Sequence, residues 1–367
     1  MQAKRIYNKQ MQLDLSKKLV VWDCSGPFAT ENQTFDRKII KQKWYVLSGP
    51  DFYDLCLANG IQLITTDLYF SLAQKPKNVI FVRDGTGKNR AAELMRAGVH
   101  PAVFITPEHP LYAPQIYFNL KKITQDYDYT FIPEGARSLL SPKTTFVNWR
   151  GLHAYRKQIS KVEYAWPKKY LVLINGNSRI HRLKRWYTNI MNIVRPLPTF
   201  VNRELYVDRL NAIKYFSKDA DFDLYGHSWD RPVRYTHGEY DHAIKTSYRG
   251  EVDDKFSVMQ QYRFTICFEN AIFKGWITEK ITDAMYAGCV PVYWGAPNIT
   301  DYVPENAFID FRKFKNYAEL DHFLRNMDEK TYRGYIDGIN EFIKSDGAYQ
   351  LSQEKFFDDL ITIFKKY

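Results

Sequence analysis

The residues best suited to chemistry lie in one stretch, CFENAIFKGWITEKITDAMYAGCVPVYWGAPN, which covers residues 267–298. Glu269 and Asn270 end an apolar run that predicts a strand, and Glu279 and Lys280 follow in the first turn of a predicted helix. The first turn of a helix offers unpaired N–H groups and positive partial charge, which together bind phosphate. Lys280 would add a full cation, and Glu279 could accept hydrogen bonds from the vicinal hydroxyls of a sugar. Taken alone, the pair is explained more simply as an acidic residue complementing the helix dipole beside a solvated lysine.

The elements that must position these groups begin with alternating strands and helices in the first half of the chain. Apolar runs predict strands over 18–24, 44–49, 61–67, 78–84, 102–108 and 129–134, and the run RAAELMRAG predicts a crossover helix. Strands that alternate with helices indicate a mostly parallel sheet. The segment 135–167 is rich in Ser, Pro, Arg and Lys, and we interpret it as the connection between two domains.

A second series of elements follows this connection. Strands are predicted over 169–176, 221–226, 263–269, 290–295 and 307–311, with helices near 179–193, 203–217, 252–261 and 277–288. The predicted fold class is α/β, with two Rossmann-like domains that face each other across a cleft. The predicted boundaries are 1–155, 156–345 and a C-terminal helix over 346–367, which we expect to pack back on the first domain. Ligands of such sheets bind at the carboxyl ends of the strands.

Length and composition agree with two domains and point to an anionic partner. The chain has 367 residues, which is long for one hydrophobic core, and a formal net charge of +11. Such a charge favours a nucleotide, a nucleic acid or an anionic membrane surface as partner. Four widely spaced cysteines favour buried free thiols and a reducing compartment. No apolar signal core or long apolar stretch is present in the sequence, so we expect a soluble protein.

The spacing FEN-x6-ITEK, followed by AG-x-VPVYWG-x-PN, resembles the C-terminal signature of the α1,3/1,4-fucosyltransferase family. The resemblance is dense over about 255–311, thinner in the rest of the second half and patchy in the first half. It implies a two-domain fold of the glycosyltransferase B type with the nucleotide on the C-terminal half. It also implies GDP-fucose as donor, inversion at the anomeric carbon, no cofactor and no metal bound for the chemistry.

The same resemblance implies which residues bind the donor. It places Asn270, Trp276, Glu279 and Lys280 on the donor-binding positions of the family. The family usually has Tyr where this chain has Trp276. An indole can still stack on a base or a sugar, but the hydrogen bond that a tyrosine hydroxyl would make is lost.

A diphosphate-binding arginine is expected in the run INGNSRIHRLKRWY, which resembles the strand-to-helix segment of the family. The family arginine that contacts the diphosphate falls on Arg182, and a guanidinium suits that task because it can bond phosphate through two N–H groups. Arg179 and Arg185 are close enough to take the same role. A simple basic face of the helix is the other interpretation.

The catalytic base is expected at the end of a strand in the first half. The run VFITPE resembles the family run VFYTGE, whose terminal glutamate is the base, and this implies Glu108. An inverting transfer needs one group that takes the proton of the acceptor hydroxyl as the phosphate leaves. Glu134, which ends the next predicted strand, is the alternative.

Three further motifs do not hold up as sites. RDGTGKNR lacks the first glycine and the final Ser or Thr of a phosphate-binding P-loop. HGEYDHA has no zinc-ligand spacing, and we predict a polar loop there. The Asp-x-Asp run at 219–221 resembles a metal-binding motif but precedes a strand of the second half, which favours a surface turn. No metal site is therefore predicted.

The expected function is transfer of L-fucose from GDP-fucose to a sugar hydroxyl, O3 of an N-acetylglucosamine or glucose unit. The acceptor would be an oligosaccharide or lipid-linked glycan in the synthesis of a surface glycan such as lipopolysaccharide O-antigen, with protein glycosylation as an alternative. A second interpretation keeps the fold and changes the donor to another GDP-deoxysugar such as GDP-colitose.

A nucleic-acid or anionic-surface binding protein is the interpretation from a different class. The basic residues are spread along the chain and no nucleic-acid recognition motif is present, so no nucleic-acid partner is expected. We expect a bacterial cytoplasmic enzyme, with peripheral contact to the inner face of the membrane through its basic helices. If an N-terminal anchor has been removed, the Golgi lumen is expected instead.

Overall fold

Two parallel β-sheets, each flanked by helices, organise the chain in the computed structural model. The structure describes residues 14, 17–26, 28–40, 49–85, 87–106, 108–149, 161–166, 168–177, 186, 190, 193, 203–233 and 236–367. One sheet lies in the first half of the described residues and the other in the second half. The predicted α/β class therefore matches the observed architecture.

The first sheet contains six parallel strands in the order β2-β1-β3-β4-β5-β6. They are β1 Lys18–Cys24, β2 Ile61–Thr65, β3 Ile80–Asp84, β4 His100–Ile105, β5 Tyr129–Ile132 and β6 Thr145–Asn148. The central strands are apolar runs buried on both faces, as parallel sheets require. The predicted strand over 44–49 lies outside the described residues except for Gly49, which begins a helix.

Strand β6 corrects the prediction that 135–167 only connects the domains. Residues 145–148 pair in parallel with β5 and form the edge of the first sheet. All four side chains of β6 are exposed or half-buried, so the sequence shows no apolar run there. A short edge strand with a solvated face gives little sequence signal.

Five helices lie in the described part of the first half. They are α1 Gly49–Ala58, α2 Thr66–Ser71, α3 Ala91–Arg96, α4 Pro114–Tyr117 and α5 Leu120–Thr124, with 3-10 turns at Gln33–Phe35 and Glu134–Leu139. Helix α3 is the predicted crossover helix. It carries the chain from β3 to the parallel neighbour β4.

The second sheet contains five parallel strands in the order β11-β10-β9-β7-β8. They are β7 Lys169–Ile174, β8 Phe222–Tyr225, β9 Tyr262–Phe268, β10 Val290–Trp294 and β11 Ile309–Asp310. From β7 the chain adds β8 on one side, and then β9, β10 and β11 on the other. The strand order therefore reverses between β7 and β9, and a crevice at such a reversal is where ligands of this type of sheet bind.

Eight helices lie in the described part of the second half. They are α6 Tyr206–Phe216, α7 Asp241–Ser247, α8 Lys255–Met259, α9 Glu279–Tyr286, α10 Tyr317–Arg325, α11 Glu329–Ile343, α12 Asp346–Gln350 and α13 Gln353–Phe364, with 3-10 turns at Ile299–Asp301, Glu305–Ala307 and Phe311–Lys313. Helix α7 begins within the run HGEYDHA, so the predicted polar loop is wrong from Asp241 onward. Ala243, Ile244 and Ser247 are buried and give α7 a face that packs on the core.

Each sheet has its own hydrophobic core. Two segments of the second half of the chain nevertheless pack in the core of the first sheet. Phe357, Leu360 and Phe364 of helix α13 belong to the core of the first sheet. Phe273 and Trp276, which precede helix α9 of the second sheet, also belong to the core of the first sheet. The segment that leads to α9 is therefore anchored in the neighbouring domain.

The cysteines agree with the sequence interpretation. Cys56, Cys267 and Cys289 are buried, Cys24 is half-buried, and all four are free thiols. Within the part of the chain that the structure describes, every helix is too short or too polar to span a bilayer.

Candidate active site

A cavity of about 900 Å³ opens at the carboxyl edge of the second sheet, where the strand order reverses. Its walls are the ends of β7 and β9, the start of α9, the segment that leads into α8, and part of α6. The lining includes Asn175, Gly176, Arg209, Lys255, Glu279 and Lys280. The cavity therefore lies where the fold predicts a ligand.

Lys280 is a fixed cation at the cavity wall. Its Nζ lies 3.2 Å from Oε2 of Glu269 and 2.7 Å from Oγ1 of Thr278. Burial lowers the pKa of Lys280, but attraction to Glu269 and Glu279 outweighs burial, so the pKa lies above its ordinary value. The ammonium group therefore stays charged at physiological pH.

Glu269 holds the start of helix α9 in place. Its carboxylate is fully buried at the end of β9 and accepts hydrogen bonds from the backbone N–H and the hydroxyl of Thr278, each of 2.7 Å. Thr278 is the N-cap residue of α9. The polar residue at the end of β9 thus fixes the turn that presents Glu279 and Lys280 to the cavity.

Asn270 is linked to the cavity through an arginine that the sequence interpretation did not identify. Arg209 on helix α6 donates a hydrogen bond of 2.6 Å from Nη2 to Oδ1 of Asn270. It also donates to the carbonyl of Phe268 from Nε and Nη2, at 3.1 and 2.9 Å. Burial lowers the pKa of Arg209, but a guanidinium is not deprotonated in proteins. Arg209 is therefore a buried cation at the cavity wall.

A sequence signal for Arg209 exists in retrospect. Tyr206, Leu210 and Ile213 are buried on the same helix, so Arg209 falls within the apolar stripe of α6. A charged residue in the buried stripe of a helix needs a specific partner. The periodicity locates the arginine, but only the fold shows that its partner is the end of β9.

The predicted arginine Arg182 and its alternatives Arg179 and Arg185 lie outside the described residues. Asn175, which precedes them, does line the cavity. Its backbone carbonyl accepts a hydrogen bond of 2.6 Å from Nε1 of Trp229. Its buried Oδ1 has no hydrogen-bond partner among the described residues.

Trp276 lies at the boundary between the domains. It is 4% exposed, and its ring centroid is 5.0 Å from that of His109. The described residues that line the cavity do not include Trp276. Of the predicted donor-binding residues, Glu279 and Lys280 line the cavity. Asn270 is hydrogen-bonded to Arg209, and Trp276 lies between the two cores.

Glu108 is exposed on the loop that follows β4. Tyr117 donates a hydrogen bond of 2.6 Å to its backbone carbonyl. Further along the loop, Leu111 packs against Ala271 of the second half, and Tyr112 packs against this pair. The loop that carries Glu108 therefore rests on the segment that follows β9.

Glu134, the alternative base, is held by groups from the second half of the chain. Oε1 lies 2.7 Å from Nζ of Lys274, and Oε2 accepts hydrogen bonds from Tyr302 at 2.7 Å and Asn298 at 3.1 Å. Burial raises the pKa of Glu134, but the hydrogen bonds from Lys274 and Tyr302 outweigh it, so the pKa is lowered. A carboxylate engaged by three donors is a poor proton acceptor.

The Asp-x-Asp run has its own partner at the surface. Arg325 lies 3.0 Å from Asp219 and 2.9 Å from Asp221. The described residues hold no cluster of three or more His, Cys, Asp or Glu side chains placed to bind a metal ion. Both carboxylates of the run are therefore explained by ion pairs.

Comparison with known proteins identifies similar sequences. Residues 199–355 match the family model described as glycosyltransferase family 10 (fucosyltransferase), C-terminal part. The chain is 28% identical over 125 residues to alpha-(1,3)-fucosyltransferase FucT of Helicobacter pylori, covering 34% of this chain and 26% of that protein. It is 37% identical over 90 residues to GDP-fucose protein O-fucosyltransferase 3 of Bos taurus, covering 24% and 19%. The match thus spans about a quarter or less of the length of these relatives.

Solved structures share the architecture. A structure of trehalose-6-phosphate synthase superposes with a TM-score of 0.51 at 11% sequence identity, covering 92% of this chain and 83% of the other. At this identity the likeness concerns the fold alone. It confirms the predicted pair of Rossmann-like domains of the glycosyltransferase B type.

Proposed function

We propose that this chain, whose residues 199–355 belong to the fucosyltransferases of glycosyltransferase family 10, transfers L-fucose from GDP-fucose to a hydroxyl group of an acceptor. The observation that carries the proposal is the cavity at the carboxyl edge of the second sheet. The half-buried ammonium of Lys280 and the buried guanidinium of Arg209 line it together with the carboxylate of Glu279. Lys255, the third lysine or arginine of the described lining, is paired with Asp283. GDP-fucose is the donor named for the O-fucosyltransferase relative.

The diphosphate of the donor would bind between Lys280 and Arg209. Both side chains are held in place by hydrogen bonds within the protein, so binding does not have to order them. In a site shielded from water, two preorganised cations stabilise the negative charge that develops on the leaving diphosphate. Glu279 would accept hydrogen bonds from ribose hydroxyls.

Transfer would follow a single displacement. Glu108 takes the proton of the acceptor hydroxyl as that oxygen attacks the anomeric carbon and the bond to GDP breaks. Attack from the side opposite to GDP converts a β-linked donor into an α-linked product. The charge of the leaving group is carried by Lys280 and Arg209, so this mechanism assigns no step to a metal ion.

The proposed acceptor is a sugar, O3 of an N-acetylglucosamine or glucose unit in an oligosaccharide or lipid-linked surface glycan such as O-antigen. The H. pylori relative, named as an alpha-(1,3)-fucosyltransferase, supports this choice. The O-fucosyltransferase relative supports a polypeptide hydroxyl as the second candidate. Mass analysis after incubation with GDP-fucose and paired panels of short glycans and peptides would decide between them. GDP-colitose in place of GDP-fucose tests the alternative donor.

We place this reaction on the cytoplasmic side of a bacterial membrane, with peripheral contact through basic helices of the chain. The domain boundaries stay as predicted from the sequence, and the packing of α13 on the core of the first sheet supports a separate C-terminal helix. Vesicle sedimentation with and without anionic lipid would test the membrane contact.

Thermal stabilisation by nucleotides tests the nucleotide site. GDP should raise the melting temperature, and UDP and ADP at the same concentration should raise it less. A nucleic-acid binding protein would instead be retained on immobilised polynucleotide in a salt-dependent manner. Absence of stabilisation by GDP, combined with such retention, would overturn the proposed function.

A further inference from the structure

His109 follows Glu108 and lies buried between the two domains. Its exposed fraction is 0%. Its ring meets Phe273 and Trp276 edge to face, with centroid distances of 5.3 and 5.0 Å. A histidine of the first half thus inserts into the segment of the second half that leads to helix α9.

The two ring nitrogens of His109 bond in opposite directions. Nδ1 lies 3.0 Å from the backbone N–H of Leu111, and Nε2 lies 3.2 Å from the carbonyl oxygen of Ile272. A backbone N–H can only donate, so Nδ1 carries no proton and the neutral ring must donate from Nε2 to Ile272. Burial lowers the pKa of His109 to about 3, so the ring stays neutral near pH 7.

The two hydrogen bonds of the ring connect His109 to two segments, the loop that carries Glu108 and the segment that leads to helix α9. On one side, the carbonyl of His109 accepts the N–H groups of Tyr112 and Ala113, which closes the loop behind Glu108. On the other side, Ile272 lies two residues after Asn270 in the segment that continues to α9. The imidazole is therefore a direct link between the loop of the base and the segment of the donor site.

We propose that His109 is a positioning residue that sets the distance between the carboxylate of Glu108 and the donor sugar by hydrogen bonding to Ile272 across the domain boundary. This inference rests on the proposed transfer of fucose. The base belongs to one domain and the donor to the other, so their separation depends on contacts that cross the boundary. A displacement of about 1 Å in such a geometry can cost on the order of 10²-fold in rate.

Two substitutions separate the two bonds of the ring. In His109→Asn the short amide can still accept the N–H of Leu111, as asparagine does in an Asx turn, but it cannot reach Ile272. In His109→Gln the longer side chain can place its NH₂ near Nε2 and donate to Ile272, while the bond to Leu111 is lost. Melting temperatures of both variants measure their effect on stability.

The readouts are fucose transfer, GDP affinity and the slow hydrolysis of GDP-fucose by water. We expect His109→Asn to lower kcat for transfer roughly 10- to 100-fold, with GDP affinity within about twofold of wild type. Hydrolysis of GDP-fucose should slow much less than transfer, because a water molecule can reach the anomeric carbon without being held in the acceptor site. His109→Gln should retain most of the transfer.

Three outcomes would overturn this inference. One is wild-type transfer in His109→Asn. The second is an equal loss of transfer in the Asn and Gln variants, in proportion to how far each substitution lowers the melting temperature. A purely structural role of His109 predicts that result. The third is a wild-type protein that binds GDP-fucose but transfers fucose to no acceptor. This result would overturn the proposed function as well, whereas the first two outcomes would leave the proposed function intact.

Discussion

The guanidinium of Arg209 and the side-chain amide of Asn270 are joined by a hydrogen bond of 2.6 Å. The two residues are 61 positions apart in the chain, and the bond fixes a cation of helix α6 beside the end of strand β9. With Lys255 and Lys280, Arg209 makes three cationic side chains in the lining of the cavity.

Substitution of Arg209 should weaken GDP binding. Arg209→Met removes a charged donor from the diphosphate, which is typically worth about 1–3 kcal/mol, or roughly 10- to 100-fold in affinity. Calorimetric titration with GDP measures the effect. Arg203→Met, at an exposed arginine paired with Asp208, is the control and should bind GDP like wild type. Equal affinities in both variants would remove Arg209 from the site.

Substitution of Lys280 should have a similar effect on GDP affinity. Lys280→Met removes the second cation, and it also leaves the buried carboxylate of Glu269 without its ion pair. The double variant Lys280→Met with Glu269→Gln removes both charges and should recover part of the lost stability but none of the lost affinity. Lys313→Met, at an exposed lysine, is the control. Wild-type GDP affinity in Lys280→Met would contradict the phosphate role.

Glu108 should matter to the chemical step and little to GDP affinity. Glu108→Gln keeps the shape of the side chain and removes the proton acceptor, so transfer should slow by about 10²–10⁴-fold. Glu134→Gln is the matched comparison, because Glu134 is engaged by Lys274 and Tyr302. Glu134→Gln should lower the melting temperature and should reduce the rate of transfer much less than Glu108→Gln does. Normal turnover in Glu108→Gln with an inactive Glu134→Gln would assign the base to Glu134.

Parts of the fold were predictable because their signals are local. The run 263–269 is apolar and bounded by polar residues, and strand β9 was found at Tyr262–Phe268. The edge strand β6 was missed because its exposed and half-buried side chains give no apolar period. Helix α7 was missed because its polar residues conceal the few that are buried.

Some residues of the candidate site were likewise predictable from the sequence, and others were not. The helix start that presents Glu279 and Lys280 could be predicted from neighbouring residues. The proposed roles of Arg209 and His109 could not be predicted from the sequence. Each depends on a backbone carbonyl that only the tertiary fold brings near, that of Phe268 for the arginine and that of Ile272 for the histidine. Trp276, which the family resemblance predicts at the donor, has its ring buried within the first core, and its role at the donor stays a prediction.

Asp84 predicts a pH dependence of stability. Burial raises its pKa from 3.8 to about 6 in the folded protein. The ionised form is therefore disfavoured by folding, and stability falls as the pH rises from about 4 to about 6. At 1.36 kcal/mol per pKa unit the cost is roughly 3 kcal/mol above that range.

Asp84→Asn removes this cost while its amide oxygen can still accept the hydrogen bond from Nε1 of Trp22. The variant should melt higher than wild type at pH 8 and show no such gain at pH 4. Asp54→Asn, at an exposed carboxylate, serves as the control. A difference in melting temperature that does not change with pH would contradict the raised pKa.

Transfer should not require a divalent metal ion. The charge of the leaving diphosphate is assigned to Lys280 and Arg209, and the carboxylates of the Asp-x-Asp run pair with Arg325. Excess EDTA should therefore leave the rate within about twofold of the untreated protein. Complete loss of transfer in EDTA that manganese restores would contradict this mechanism.

The structure of the reaction product tests the proposed fucose transfer most directly. The protein is incubated with GDP-β-L-fucose and an acceptor that ends in N-acetylglucosamine, and the product is examined by mass spectrometry and NMR. We expect addition of one fucose in α linkage and release of one equivalent of GDP. A β-linked fucoside would contradict the single displacement, and no fucosylated product from any sugar or peptide acceptor would contradict the proposed function.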